Sequence, residues 1–495
     1  MPQQHLDRLT AIDASFLHQE GPNSHMHVGG LAIFAGPPPA MDDIADQIRG
    51  RLHLVPRYRQ RLASTNTPLD NNRPVWVDDP SFNLEYHVRH TALPAPGTRE
   101  QLLRLLARIF SQQLDRSKPL WETWFVEGLE DNRFALISKT HHALIDGISG
   151  VDLATVLYDL SPEGTVVEHS GTPWQPRREP GTLGMFAAGL RGTLRAGIEI
   201  TTRAVDAATH PERAIGNVRE ALDGVSEIVW AGLNSAPQTP FNVDIGPHRR
   251  FAGVDCDLAD LRLIKSTLGG TVNDVVLTVV SGALRSFLLE RGLRTEGLEL
   301  RALVPVSVRT KDEQNHLGNR IAAMRGPLPV YIADPLQRLA VVREEMTGLK
   351  DSKQALGAEV LAGVQNFAPP TVLAQASRLN FSTRLFNLIV TNVPGPQFPL
   401  YVLGRELEDV YPVAFLPKQH ALAIAIMSYN GKINFGLLGD YDAMPEIDEI
   451  AQGIADGVAE LLKIARERAA ADVGGGGGPA SNGGAGRSRA GSAGR

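Results

Sequence analysis

The stretch Lys139-Thr140-His141-His142-Ala143-Leu144-Ile145-Asp146-Gly147 places two adjacent histidines, an acid four residues on and a glycine at the end of a strand-like run, Phe134 to Ser138. The strand is predicted to end at Lys139, with the motif in a loop before a helix rich in Val151, Leu153, Val156 and Leu157. A histidine at a strand end can act as general base near neutral pH, because its ordinary pKa is roughly 6.5. Neighbouring side chains point different ways on a regular backbone, so one of His141 and His142 meets a given substrate. Gly147 suits close ligand approach or a positive φ, and Asp146 suits orienting a ring nitrogen or bracing the loop against an arginine. The residue types alone leave a second reading open, in which both histidines only satisfy hydrogen bonds at a strand end. A metal is not expected, since His142 and Asp146 would be neighbours only in a helix and no third ligand is evident.

Upstream, Thr98 and Gln101 have capping-box spacing, and Leu102, Leu103, Leu105, Leu106, Ile109 and Phe110 recur at helical spacing as far as Leu114. Trp124 to Val126 and Phe134 to Ser138 read as a hairpin across the turn-rich segment with Gly128 and Asn132. From Ser161 to Pro247 prolines and glycines loosen the pattern into a crossover. Inside it Phe186, Leu190, Leu194 and Ile198 form a helical stripe flanked by Arg191, Arg195 and Arg203. Packing of that helix on a domain is the preferred reading, and a membrane interface is the alternative.

Downstream, Arg250 to Val254 reads as a strand and Asp257 starts a helix closed by Gly269-Gly270. Thr271 caps a second helix, whose pairs Val275-Val276, Val279-Val280, Ala283-Leu284 and Phe287-Leu288 demand a wide buried face. Asp334-Pro335 opens a third, Ala421 to Tyr429 and Lys432 to Leu438 pair through Asn430-Gly431, and a last helix spans about Pro445 to Arg468. Both halves mix sheet and helix, so the expected class is α/β with α+β mixing.

At 495 residues the chain exceeds one ordinary hydrophobic core. The expected division is 1–165 as a domain with the histidine motif, 166–247 as crossover, 248–472 as a second domain and 473–495 as a disordered Gly-rich tail. The net charge of −6, or −9 without the residues from Gly474 on, argues against nucleic acid held by broad phosphate neutralisation. Cys256 is the single cysteine, which excludes an intrachain disulfide and suits a cytoplasmic setting. Met1 to Phe16 lacks the apolar run of an export signal, and no uninterrupted apolar stretch reaches 18 residues, so no spanning helix is expected. Nucleophile-elbow, P-loop, C-x-x-C and strand-linked G-x-G-x-x-G motifs are missing.

His141-His142-x-x-x-Asp146-Gly147 resembles the H-H-x-x-x-D-G motif of CoA-dependent acyltransferases, and its surroundings resemble the bacterial wax ester synthase/diacylglycerol acyltransferase family. Leu9 to Gly30, with Asp13, Phe16 and Met26-His27-Val28-Gly29-Gly30, is similar to that family's opening segment. Pro119-Leu120-Trp121, Asn273-Asp274, Asn392-Val393-Pro394-Gly395-Pro396 and Met427-Ser428-Tyr429-Asn430-Gly431 resemble its later blocks. The resemblance covers the chain to about Arg468 and implies two chloramphenicol-acetyltransferase-like domains with a substrate tunnel at their interface. It also implies transfer of a fatty acyl group from acyl-CoA to diacylglycerol, or to a long-chain alcohol, without an acyl-enzyme. His142 would be the base, Asp146 would hold the motif, Gly147 would keep the channel open, and His141 is the weaker candidate for chemistry. No cofactor is implied, acyl-CoA being a substrate, and a peripheral membrane or lipid-droplet surface is the expected partner. Two rivals are a condensation domain using carrier-bound thioesters and a catalytically silent lipid-droplet protein.

Trp121 is read as core first and channel lining second. Asn273 and Asp274 fall in a helix's first turn, where they suit the cap and dipole, and they can also face the centre from the second domain. Arg49, Arg51, Arg57, Arg59 and Arg61 are read as a solvated basic face, with CoA phosphate or anionic lipid as the alternative.

Overall fold

The computed structural model describes residues 7–9, 11–63, 74–145, 157–164, 174–177, 235–307, 321–351 and 382–475. Asp146, Gly147, the arginine-flanked crossover stripe and residues 476–495 of the tail lie outside them.

The first half supplies strands β1 (Asp7–Arg8), β2 (His27–Phe34), β3 (Gln60–Ala63), β4 (Val75–Asp78), β5 (Val88–Ala92), β6 (Trp121–Glu127) and β7 (Phe134–His141). The second supplies β8 (Arg249–Asp257), β9 (Leu300–Ser307), β10 (Ile321–Leu328), β11 (Leu388–Pro394), β12 (Tyr401–Val402), β13 (Arg405–Val413), β14 (Leu422–Tyr429) and β15 (Lys432–Asp440). They form two six-stranded sheets, β12-β13-β2-β7-β6-β5 and β10-β9-β11-β14-β15-β8, and a small sheet β1-β4-β3. Strands β12 and β13 come from the second half yet complete the first sheet, β13 pairing antiparallel with β2 from Leu407↔Phe34 to Val413↔Gly29. A side chain on Gly436 of β15 would meet the Pro412 carbonyl oxygen at 1.9 Å, so only glycine permits the second sheet to sit this close to β13.

The helices are α1 (Ala11–Gln19), α2 (Met41–Arg51), α3 (Leu84–His87), α4 (Arg99–Phe110), α5 (His142–Ile145), α6 (Leu258–Leu268), α7 (Val272–Glu290), α8 (Pro335–Asp351) and α9 (Ile447–Gly475). Thr98 and Gln101 close a reciprocal capping box on α4, the Thr98 N–H donating to Gln101 Oε1 at 2.7 Å and the Gln101 N–H to Thr98 Oγ1 at 3.3 Å. The helix stops at Phe110, short of the expected Leu114, because the buried Lys139 ammonium takes the Ile109 carbonyl at 2.9 Å and the Gln112 carbonyl at 3.0 Å. At the chain's other end α9 runs past Arg468 to Gly475, since Ala469 to Val473 offer no breaker.

Helix α7 corrects the expectation that no segment is long and apolar enough to span a membrane: by length and composition it passes, with scattered polar residues that an uninterrupted-run criterion rejects. Most of the helix is buried, and Val275, Val276, Val279, Val280, Leu284, Phe287 and Leu288 are all in the core. Burying each larger side chain contributes about 1.5–3 kcal/mol, which explains a hydrophobicity this high in a packed helix.

One hydrophobic cluster is continuous across both halves, running from Leu31, Leu106, Phe110 and Ile137 to Phe251, Val275, Ile424 and Phe435. The opposite face of the first sheet holds a separate cluster around Phe34, Tyr58, Trp121 and Phe134. The basic run is not a solvated face. Arg51 is buried against Asp159, Arg57 is buried against Asp7 and lies over the Trp76 ring, and Arg59 lies over the Trp174 ring; Arg49 is exposed and pairs with Asp46. Three of the five charges are thus spent on internal partners, as a desolvated guanidinium requires.

Candidate active site

Strand β7 lies between β2 and β6, and its ladder does not stop at Lys139 as expected. His141 is still paired opposite His27, and its N–H donates to the Leu120 carbonyl at 2.9 Å. Both flanking strands extend far enough to keep satisfying the backbone, so pairing persists to the first histidine. The next N–H, that of His142, donates to the Met26 carbonyl at 2.8 Å, and the chain turns directly into α5. Gly29 enables the approach of β2: a side chain there would meet the Ser138 carbonyl oxygen at 1.8 Å.

The two imidazoles diverge. His141 is buried, and its Nδ1 accepts the Ala143 N–H at 3.1 Å, which leaves the ring hydrogen on Nε2, facing the Glu20 carboxylate at 3.7 Å. His142 is half-buried in an aromatic cleft. Phe16 of α1 stacks on it at 4.0 Å between centroids and 24°, and Phe415, between β13 and β14, meets it edge-on at 5.6 Å and 87°. The two phenyl rings touch each other at 5.9 Å. Ser24 Oγ donates to the Leu416 carbonyl at 3.0 Å and ties this second-half segment to the first half.

Behind the histidines lies a buried polar cluster. Glu20 accepts from Arg116 Nε at 2.6 Å and from its Nη2, while Nη2 also donates to the Leu17 carbonyl at 2.7 Å. His27 Nε2 stands 3.6 Å from Glu20 and accepts the Leu114 N–H at 3.4 Å. Burial pushes the Glu20 carboxyl up, but hydrogen bonding and charge from His141 and Arg116 outweigh it and hold the group below the usual range. His27 is held well below the ordinary imidazole value, first by burial and then by the nearby charges of Lys139, His141, His25 and Arg116. Lys139, 1% exposed, pairs with Glu122 at 2.5 Å, and Arg89 reaches the same carboxylate at 3.2 Å. Burial lowers the Lys139 pKa against the pull of Glu122.

Trp121 is fully buried in the core cluster on the other sheet face, its ring stacked on His87 at 4.7 Å and its Nε1–H donated to the Tyr58 carbonyl at 2.8 Å. Asp274 closes the capping box of α7, accepting the Thr271 N–H at 2.7 Å. Asn273 Oδ1 accepts from Asn392 Nδ2 at 3.2 Å, which joins the Asn273-Asp274 and Asn392-to-Pro396 blocks across the second lobe. Cys256 is partly buried on β8, and burial together with Asp255, Asp257 and Asp260 pushes its thiol up to about 12, so it is no thiolate nucleophile. Sequence reasoning did not single out Glu20, Arg116 or Phe415. Glu20 lies inside the opening segment Leu9 to Gly30, whereas Phe415 carries no sequence signal, because only the fold brings it to His142.

Two lobes of mixed sheet and helix, with a histidine pair where a central strand ends at their seam, define the class of two-domain acyltransferases and condensation enzymes. A family model, "Wax ester synthase/diacylglycerol acyltransferase catalytic domain", matches residues 9–276, and "WS/DGAT C-terminal domain" matches 317–462. The chain belongs to the wax ester synthase/diacylglycerol acyltransferase family and is an acyltransferase. It is 34% identical over 467 residues, 94% of this chain and 97% of the relative, to a Mycobacterium tuberculosis protein named "Probable diacyglycerol O-acyltransferase tgs1". Its fold is similar to that of the wax ester synthase/diacylglycerol acyltransferase from Marinobacter aquaeolei VT8, with a TM-score of 0.64, 30% identity, and 92% of this chain and 99% of that one covered. The starter condensation domain of rhizomide synthetase RzmA shares the fold alone, with a TM-score of 0.53 at 11% identity, covering 93% of this chain and 94% of that one. The two domains are thus of the chloramphenicol-acetyltransferase and condensation type.

Proposed function

We propose that the chain transfers the acyl group of a fatty acyl-CoA to the free hydroxyl of diacylglycerol, with long-chain alcohols as alternative acceptors. The observation that carries this reading is His142, half-buried at the seam of the lobes between one aromatic ring from each half. A neutral ring nitrogen of His142 takes the hydroxyl proton as the oxygen attacks the thioester carbonyl. The new C–O bond forms, the C–S bond breaks, and the imidazolium returns the proton to the departing coenzyme A thiolate. No cofactor enters this scheme, since coenzyme A arrives on the donor and leaves as product. His141 does not face the reacting atoms in it; with Glu20 behind, it keeps the strand end rigid. Asp146 and Gly147 lie outside the described residues, and bracing of the motif by the first and an open substrate channel at the second belong to the proposal.

Diacylglycerol is largely apolar and the donor carries an apolar acyl chain, so work at a cytoplasmic face of a membrane or a lipid droplet belongs to the same proposal. The decisive experiment is a thiol-release assay with product analysis, using one long-chain acyl-CoA against diacylglycerol, monoacylglycerol and a fatty alcohol. Triacylglycerol formation that disappears in His142→Ala supports the proposal. Turnover only from a carrier-bound thioester would favour the condensation-type rival, and lipid binding without turnover would favour the silent one.

A further inference from the structure

We infer that Phe415 is a positioning residue for His142, by which the second half of the chain sets the base carried by the first half. This rests on His142 being the base. The imidazole is fixed from two directions that come from opposite halves of the chain. Phe16, in α1, lies nearly parallel to the ring at 4.0 Å, and Phe415 blocks it edge-on at 5.6 Å and 87°. Both phenyl rings are 8% exposed, and their 5.9 Å contact closes the corner in which the imidazole sits. A ring stacked on one face and a perpendicular ring beside it restrict the rotations of the histidine side chain.

Phe415 is itself held on a short tether. The segment follows β13, which is paired to β2 of the first sheet, and precedes β14 of the second sheet. The bond from Ser24 Oγ to the Leu416 carbonyl pins the next residue to the strand-entry segment that carries Met26, whose carbonyl receives the His142 N–H. The base's backbone and the ring beside its side chain are therefore anchored to one stretch, Ser24 to Met26. Held by β13 on the first sheet and by Ser24, the Phe415 ring keeps its place beside the imidazole, and its loss alters the room available to the base. A base misplaced by about 1 Å can cost on the order of a hundredfold in rate, so the clamp acts on turnover and not on donor binding.

The test uses the full chain with a long-chain acyl-CoA and diacylglycerol, comparing Phe415→Ala, Phe415→Leu and Phe415→Tyr. Phe415→Ala is expected to lower kcat about tenfold to hundredfold with the acyl-CoA KM within twofold of wild type. Phe415→Tyr, which keeps the flat ring, is expected to restore at least half of kcat, and Phe415→Leu to fall between. The rate of His142 carbethoxylation by diethyl pyrocarbonate, read by peptide mass spectrometry, should rise several-fold in the alanine and leucine variants. A kcat within twofold of wild type in Phe415→Ala, or equal loss in all three variants with unchanged carbethoxylation, overturns the inference. If the alanine variant does not fold, the leucine and tyrosine pair carries the same decision. Should His142→Ala keep full activity, the reading of the base fails instead, whatever the Phe415 variants do.

Discussion

Where β7 leaves the first sheet, two histidines stand beside a buried carboxylate, an arginine and a buried lysine, while β11, leaving the second sheet, presents Asn392 to Asn273 and no ion pair between them. The sheets are alike in strand number and both pack helices on an apolar face, yet the end of β7 gathers a histidine pair with several charged partners, whereas the described end of β15 in the second sheet carries a buried Arg249–Asp440 pair at 3.8 Å. Charge is expensive to bury, and the first lobe offsets that cost with a connected set of partners, Arg116 to Glu20 and Arg89 to Glu122 to Lys139. The second lobe invests in a dry helix, α7, and contributes the apolar ring Phe415 to the site. In the proposed reaction the first half holds the proton chemistry and the second half shapes the space around it.

The largest expected effect would break that contrast outright. His142→Ala should lower kcat on the order of a hundredfold to ten-thousandfold in a thiol-release assay, and wild-type turnover would show that proton transfer does not belong to the first lobe.

Acid should weaken the first lobe through groups kept neutral by burial. His87 is lowered to about 4 from 6.5, chiefly by burial, its Nδ1–H donating to the Trp121 carbonyl at 2.7 Å. A depressed native pKa means the unfolded chain binds the proton first. The contribution is therefore complete above pH 6.5 and is lost as pH falls through about 4, a change of about 3 kcal/mol from this side chain. His27 and Glu20, both also held low, act in the same direction. Urea unfolding at pH 7.5 and 4.5 should show the loss, and His87→Gln should flatten it; an unchanged slope in the variant would assign the acid sensitivity elsewhere.

Glu20→Gln keeps the shape and removes the charge between Arg116 and His141. It should lower kcat about tenfold to hundredfold, as loss of a positioning partner commonly does, with the acyl-CoA KM little changed. If kcat stays at the wild-type value, the polar cluster serves stability alone.

The smallest effect belongs to the second lobe. Thr271→Ala removes the hydroxyl that accepts the Asp274 N–H at 3.2 Å and should cost about 1 kcal/mol in chemical unfolding, without altering kcat. A large kcat loss there would mean that the α7 entry takes part in the reaction.

Periodic and capping signals were legible because they are local. The capping boxes at Thr98 and Thr271, the strand pair across Asn430-Gly431 with φ of 41° and 86°, and the buried pairs of α7 all appear where pattern places them. The misreadings are tertiary. The arginine run reads as solvated until Asp7, Asp159, Trp76 and Trp174 are brought to it, and α4 reads four residues too long until Lys139 arrives to bind its last carbonyls.

By itself the chain determined its α/β character, its two-lobed size and the place of its histidine motif, because periodicity, caps and the run at His141-His142 are written in neighbouring residues. The tertiary structure alone decided that β12 and β13 cross into the first sheet, that Glu20 and Arg116 back His141, and that Phe415 closes on His142. Those contacts join residues more than 90 and up to several hundred positions apart, and their formation depends on how two sheets share one core rather than on any local preference.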